Sequence, residues 1–234
     1  MGLSDIVARG VAMIGGAAIL LRRRGAEAHA PAFGGAPAIP PARPQTIPTL
    51  KMPTARGWTA GRTPVAAPGL RVNAFAAGLK HPRWIYVLPN GDVLAAEALT
   101  QSGGIKSAFD YAIHSTMKRA AAVGASPNRI TLLRDADGDG VAETREVFLD
   151  GLNQPFGMAL LDGTFYVGNT DGVLAFDYAE GATRLAGAGR KIAEFKPSGH
   201  WTRSLLASRD GSKLYAGVGS LSNIAEHGLE KEAG

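Results

Sequence analysis

Three aspartates at alternate positions carry the plainest chemistry of this 234-residue chain. Asp135-Ala136-Asp137-Gly138-Asp139-Gly140, followed by Glu146, fits the pattern D-x-D-x-D-G-x5-E. Carboxylates at loop positions 1, 3 and 5, the main-chain carbonyl of Val141 and a carboxylate at position 12 suit Ca2+, and Gly140 permits the sharp turn. Glu143 can take the place of Glu146 as the ligand. The flanking Ile-Thr-Leu-Leu and Val-Phe-Leu read as strands, so the loop is expected in a hairpin with a structural role, not between the two helices of an EF-hand. The alternative is an acidic turn without an ion. For acid–base work the chain has five histidines, the side chain whose ordinary pKa lies near neutrality. On the residues alone, His200 reads as a loop or core histidine with a satisfied ring. There is no cysteine, which excludes thiolate zinc sites, iron–sulfur ligation and cysteine nucleophiles. No glycine-rich phosphate loop is present, so nucleotide and nicotinamide chemistry is unsupported.

The elements that must position these groups repeat. The segments starting at Gly78, Gly151 and Gly199 each read as loop, apolar strand, Asn-Gly or Asp-Gly turn, apolar strand. The turns are Asn90-Gly91, Asp162-Gly163 and Asp210-Gly211, pairs that tolerate the positive φ of a tight hairpin. The starts lie 73 and 48 residues apart, and a period of about 40–50 with several strands per unit marks a β-propeller. Asn128–Leu133, Glu146–Leu149 and Gly172–Phe176 supply outer strands. The longer first spacing holds an insertion, Gln101–Ser126. Within it Ile105, Phe109, Ala112, Ile113, Met117 and Ala120 recur at helical spacing and predict one amphipathic helix near 105–122, lying on the propeller with Lys118 and Arg119 on its wet face.

The chain's net charge of +5 sits at the front. Residues 1–80 hold 10 basic and 2 acidic residues, a balance of +8, whereas residues 81–234 balance to −3. Gly10–Leu21 is uncharged, lies between Arg9 and Arg22-Arg23-Arg24, and is too short for a comfortable span but matches a signal-peptide core. Residues 1–24 therefore read as a signal or membrane anchor, with 6–24 offering a membrane attachment and Ala28-His29-Ala30 a small-x-small cleavage site. Residues 25–68 read as a linker: nine of the 14 prolines fall within 31–68, which gives a semi-extended tether. Its charges are spread out without interleaved aromatics, so a nucleic-acid partner is not expected. Residues 69–234 form the body.

From Gly69 onward the chain resembles the PQQ-dependent sugar dehydrogenases, most of all the sorbosone-dehydrogenase-like branch. The resemblance rests on Gly-Leu-Lys-His-Pro-Arg-Trp at 78–84, Asn-Arg-Ile-Thr-Leu-Leu-Arg-Asp-Ala-Asp-Gly-Asp-Gly at 128–140, Gly-Leu-Asn-Gln-Pro-Phe-Gly-Met-Ala at 151–159 and Gly-His-Trp-Thr-Arg at 199–203. It continues in Asp-Gly-Ser-Lys-Leu-Tyr at 210–215 and Gly-Ser-Leu-Ser-Asn at 219–223. It implies an all-β, six-bladed propeller with the quinone over the central axis, of which this chain holds about three blades. It implies oxidation of a sugar or aldose C–OH, with hydride passing to PQQ and electrons onward to an acceptor of the respiratory chain, in the periplasm or on a membrane facing it.

The same resemblance assigns residues. His200 stands where the family's base stands, a task suited to a group titrating near working pH. Arg203 stands where a guanidinium faces the carboxylate-rich cofactor. In the soluble glucose dehydrogenases an aspartate orients the histidine; the matching position here is Ser220, whose hydroxyl can hold a tautomer without balancing the imidazolium charge. Ser222 and Asn223 are further candidates. Asn153 and Gln154, on the corresponding loop of another blade, are placed to meet cofactor or sugar, the alternative being polar turn groups that bond their own backbone. Calcium beneath the family's quinone is held by later residues that this chain lacks. Three units cannot close a six-bladed ring, so the expectation is a fragment or a chain completed by a partner, inactive alone. The other classes to set against a quinoprotein are a calcium-stabilised propeller acting as a binding scaffold and a lactonase-type propeller hydrolase with a carboxylate-bound metal on its axis.

Overall fold

The structure is a computed structural model that describes residues 53–59, 61–101, 107–197, 200–220, 228 and 230. The chain separates into Met1–Thr54 and Ala55–Gly234, and every strand and helix named below belongs to the second unit. The signal or anchor expected at 1–24 and most of the linker lie outside the described residues, as do Ile105, Ser222 and Asn223. Among the described residues no helix is long and apolar enough to cross a membrane.

Among the described residues ten strands form three antiparallel sheets. β1 (Pro82–Val87), β2 (Val93–Glu97), β3 (Arg129–Arg134) and β4 (Thr144–Leu149) make a four-stranded meander in chain order. A second meander comprises β5 (Met158–Leu161), β6 (Thr164–Asn169), β7 (Gly172–Asp177) and β8 (Arg190–Glu194). The hairpin of β9 (Arg203–Ala207) and β10 (Leu214–Val218) is the third sheet. The fold is all-β, with a short helix in the insertion, and the three hairpins fall where the repeat places them.

Turn chemistry sets those hairpins. Asp162 (φ 47°) and Gly163 (φ 72°) are both left-handed, so Leu161 pairs directly with Thr164 across a two-residue turn. Gly91 (φ 90°) turns the first hairpin, where Asn90 Oδ1 accepts from Asp92 N at 3.2 Å. In the third, Asp210 accepts from the hydroxyls of Ser208 at 2.6 Å and Ser212 at 2.8 Å, which hold its carboxyl down to about 2. The repeat extends into the loops: His81 (φ 53°) and Gln154 (φ 49°) are left-handed residues placed just before Pro82 and Pro155.

The first two sheets pack face to face. Leu94, Ile130, Leu132 and Phe148 meet Met158, Phe165 and Val167 in a single buried cluster, with Phe148 edge-on to Phe165 at 5.3 Å. Tyr86 adds its ring to Phe165 at 6.2 Å and accepts from Leu160 N at 3.0 Å. A smaller cluster of Ala159, Val173 and Leu205 joins the second sheet to β9. That contact needs glycine: a Cβ on Gly157 or Gly168 would lie 2.4–2.5 Å from the main chain of β9.

Two sequence expectations need correction. β8, Arg-Lys-Ile-Ala-Glu, is a strand that hydrophobic patterning misses, because it is a largely exposed outer strand. The helix, α1, spans Ala108–Arg119, inside the expected range, with Ser107 Oγ capping Asp110 N at 3.0 Å and Lys118 and Arg119 exposed. Ile113, assigned to its apolar face, is 44% exposed, as is Tyr111 at 63%. The tethering contacts gather at the helix's far end, where Arg119 O accepts from Ala55 N at 3.2 Å and Val123 bridges Thr100, while Tyr111 and Ile113 face solvent and residues 114–117 are half-buried.

Candidate functional site

His200 lies on the loop leading into β9. Its Nδ1 is 2.9 Å from the main-chain oxygen of Ser220, and its own N–H donates to the same oxygen at 3.4 Å. A carbonyl oxygen only accepts, so Nδ1 carries the proton and Nε2 of the neutral ring keeps its lone pair. The imidazole is thus held as an acceptor at Nε2, on an exposed loop. The contact is with the main-chain carbonyl of Ser220, whereas the sequence reading uses the hydroxyl of that residue. Gly219 is part of the arrangement, since a Cβ there would lie 2.7 Å from the Cβ of His200. Asn223, the further candidate, is outside the described residues.

Arg203 opens β9 and is 1% exposed. One terminal nitrogen donates to the carbonyls of His200 and Thr202, the latter at 3.1 Å, and the other to Lys196 O at 3.4 Å. The guanidinium also stands 5.8 Å from the Phe195 ring centre. Among the described residues it makes no ion pair and its Nε–H has no partner, and burial pulls its pKa below the ordinary arginine value. Three carbonyl dipoles offset part of the charge, but a buried cation without an anion is costly. The expected contact with an anionic group fits that deficit, although Arg203 also holds the His200 loop by its carbonyls.

Gln154 does structural work. Its Nε2 donates to Leu99 O at 2.9 Å and its main-chain N–H to Asn128 Oδ1 at 3.0 Å, which locks the loop before β5 to the end of β2. The Ser126 hydroxyl donates to the same Asn128 oxygen at 2.6 Å and accepts from Leu99 N at 3.0 Å. The amide nitrogen of Gln154 thus bonds a main-chain carbonyl 55 residues away, not the backbone of its own turn. Asn153 is half-buried beside it, its carbonyl accepting from Thr170 N at 3.0 Å.

An aromatic group beside His200 escapes a residue-by-residue reading. The Trp84 and Phe156 rings are 5.1 Å apart, Phe156 meets Trp201 edge-on at 6.3 Å, and the Arg83 guanidinium sits 5.3 Å from the Trp201 ring centre. These residues come from the start of each of the three repeated segments. Reading the three segments side by side, and asking which large side chains recur at or just before the start of the first strand of each, is the signal that finds them.

The acidic loop joins β3 to β4 as expected. One carboxylate oxygen from each of Asp135, Asp137, Asp139 and Glu143 lies within 4.8 Å of the others. Their oxygens also accept loop amides: Asp135 from Gly138 N at 2.7 Å and Gly140 N at 2.8 Å, and Glu143 from Ala136 N at 2.8 Å. Glu146 is not part of the cluster. β4 begins at Thr144, so Glu146 is an exposed strand residue opposite Leu132. Glu143 replaces it. Val141 N donates to Asp139 Oδ1 at 2.8 Å.

Comparison with known proteins adds the fold. The profile of the domain of unknown function DUF7133 matches residues 107–183. No curated protein sequence matches the chain. Among solved structures, the holo form of the pyranose dehydrogenase PQQ domain from Coprinopsis cinerea is similar, with 19% identity, a TM-score of 0.51, and coverage of 69% of this chain and 33% of that one. The iodide structure of a Trichoderma reesei carbohydrate-active enzyme of family AA12 has 20% identity, a TM-score of 0.49, and coverage of 72% and 37%. The calcium structure of the Trichoderma reesei AA12 enzyme has 21% identity, a TM-score of 0.48, and coverage of 67% and 34%. The chain spans about a third of the length of these structures, and over that span its fold is similar to that of the Coprinopsis cinerea domain.

Proposed function

We propose that this chain belongs to a quinoprotein oxidoreductase that oxidises a sugar or aldose C–OH, with His200 as the base. The observation that carries the reading is the Nδ1 contact of His200 with the Ser220 carbonyl, which leaves Nε2 to take the hydroxyl proton. PQQ, when bound, supplies the acceptor for the hydride that leaves the same carbon. Arg203 is the residue best suited to hold such a carboxylate-bearing group, because it is a buried cation lacking an anion and has one N–H to give. Asn153, Gln154, Ser220 and Asn223 complete the proposed contacts, with Gln154 acting through the loop it braces. Asp135, Asp137, Asp139 and Glu143, with the carbonyl of Val141, are proposed to hold Ca2+. Electrons pass on to a respiratory-chain acceptor, and residues 6–24 direct the protein to the periplasm or a membrane facing it.

The acidic cluster also favours a second reading, a calcium-stabilised scaffold without catalysis. A lactonase-type hydrolase draws no support from the described residues, where the carboxylate cluster is on the β3–β4 loop and not at the inner-strand starts. One set of measurements separates the readings. The full-length protein is titrated with PQQ, assayed for quinone-dependent dye reduction and compared with His200→Ala. The expected loss is about 10²–10⁴-fold in turnover with an unchanged thermal midpoint, the range for removing a general base. Turnover surviving in His200→Ala, or no saturable PQQ binding, sinks the quinoprotein reading. Calcium that raises the midpoint without PQQ binding leaves the scaffold.

A further inference from the structure

Among the described residues the helical insertion is fastened to the His200 loop at Thr100. Thr100, just before the insertion begins, pairs in parallel with Val123, where the insertion returns, and its carbonyl accepts from Gly124 N at 3.2 Å. Its hydroxyl accepts from the indole Nε1–H of Trp201 at 2.9 Å. Trp201 is next in sequence to His200, and its ring is held on other sides by Phe156 and Arg83. The main chain of the same loop is held by Arg203, which takes the carbonyls of His200 and Thr202. Arg203 thus fixes the loop's backbone, while Thr100 fixes the indole of the residue that follows His200.

We propose that Thr100 is a positioning residue of the His200 site: its hydroxyl orients Trp201, and the helical insertion, through Val123 and Gly124, sets where that hydroxyl stands. The insertion is then a device for placing the site. The idea rests on the reading of His200 as base for its catalytic consequence, though not for its geometry. Thr100→Val keeps the β-branch and removes the hydrogen bond; Thr100→Ser keeps the hydroxyl.

The test uses the isotope-labelled full chain, whose three tryptophans give separable indole signals. Thr100→Val should speed hydrogen exchange at the Trp201 indole roughly tenfold, the scale of one net hydrogen bond. It should also shift the ring nitrogen signals of His200 and leave the Trp58 indole unmoved. Thr100→Ser should restore both. Trp201→Phe, which deletes the donor from the other side, should move His200 in the same sense as Thr100→Val. A His200 ring that responds to neither variant overturns the proposal, as does an unchanged indole in Thr100→Val. A wild-type PQQ titration runs alongside. His200 responding in a protein that does not bind PQQ supports the positioning role and removes the quinoprotein reading. PQQ binding with an unresponsive His200 overturns the positioning role alone.

Discussion

A carbonyl partner gives an imidazole orientation without charge compensation. A carboxylate at Nδ1 would stabilise the imidazolium as it forms; the oxygen of Ser220 contributes only a dipole. The consequence at the residue scale is a dissociation between Ser220 and its own side chain. Ser220→Ala keeps the carbonyl, so turnover should stay within about threefold of wild type, whereas a hydroxyl acting as the orienting group would cost about tenfold or more. Initial-rate measurements of kcat and KM on the variant decide between them. Sequence draws attention to Ser220 only through the resemblance, as the position matching an aspartate of the soluble glucose dehydrogenases. The carbonyl was not legible there, because a side-chain inventory omits the main chain. Glu143 and Glu146 teach the same lesson: spacing borrowed from a helix-flanked loop points to position 12, but the strand starting at Thr144 carries Glu146 away from the cluster.

At the scale of elements, two buried carboxylates staple the first sheet. Asp92, 2% exposed, takes both ends of a fork from Arg134 at 2.6 and 2.7 Å. Glu97, fully buried, takes Arg129 at 2.8 and 3.1 Å, the Thr131 hydroxyl and the Lys80 amide. The Arg134 hydrogen bonds lower the Asp92 pKa. For Glu97, burial pushes upward, yet the bonds from Arg129, Thr131 and Lys80 together outweigh it and the net shift is also downward. A lowered folded-state pKa means stability that is complete above the unfolded values and lost as pH falls through the folded ones. The thermal midpoint should therefore be flat near neutrality and drop below about pH 4, with Glu97→Gln less stable at pH 7 by about 2 kcal/mol and less steep in acid. Thermal melts from about pH 7 down to about pH 2.5 test both; an acid limb unchanged in Glu97→Gln counts against the staple. Sequence shows the hairpins clearly, since Asn-Gly and Asp-Gly are local signals. It does not show these forks, whose partners lie 32 and 42 residues apart, nor β8, whose strand character comes from pairing with β7 and not from its own residues.

At the scale of the whole molecule, the sheets form a stack, and a stack has two ends. Where sheets meet, Phe148, Phe165 and Leu205 are covered. At one end Ile85 and Val87 of β1 are 63% and 59% exposed; at the other Leu206 and Tyr215, paired across β9 and β10, are 68% and 53% exposed. Among the described residues β10 pairs with β9 alone, whereas the second strands of the other two sheets are flanked on both sides. Contiguous apolar surface beside a free strand edge is what sheets use to pair with other chains. A polypeptide of residues 1–234 is therefore expected to self-associate at roughly tens of micromolar and to bind an apolar dye. Leu206→Thr with Tyr215→Thr should reduce both, since each side chain points to solvent and threonine keeps strand propensity. The core joining the first two sheets should be untouched, with the melt unchanged. Light scattering after size exclusion gives the mass directly. A wild-type chain that runs as a monomer without dye binding shows that these faces are too small or too interrupted to recruit a partner, and the search for what covers them then loses its physical basis.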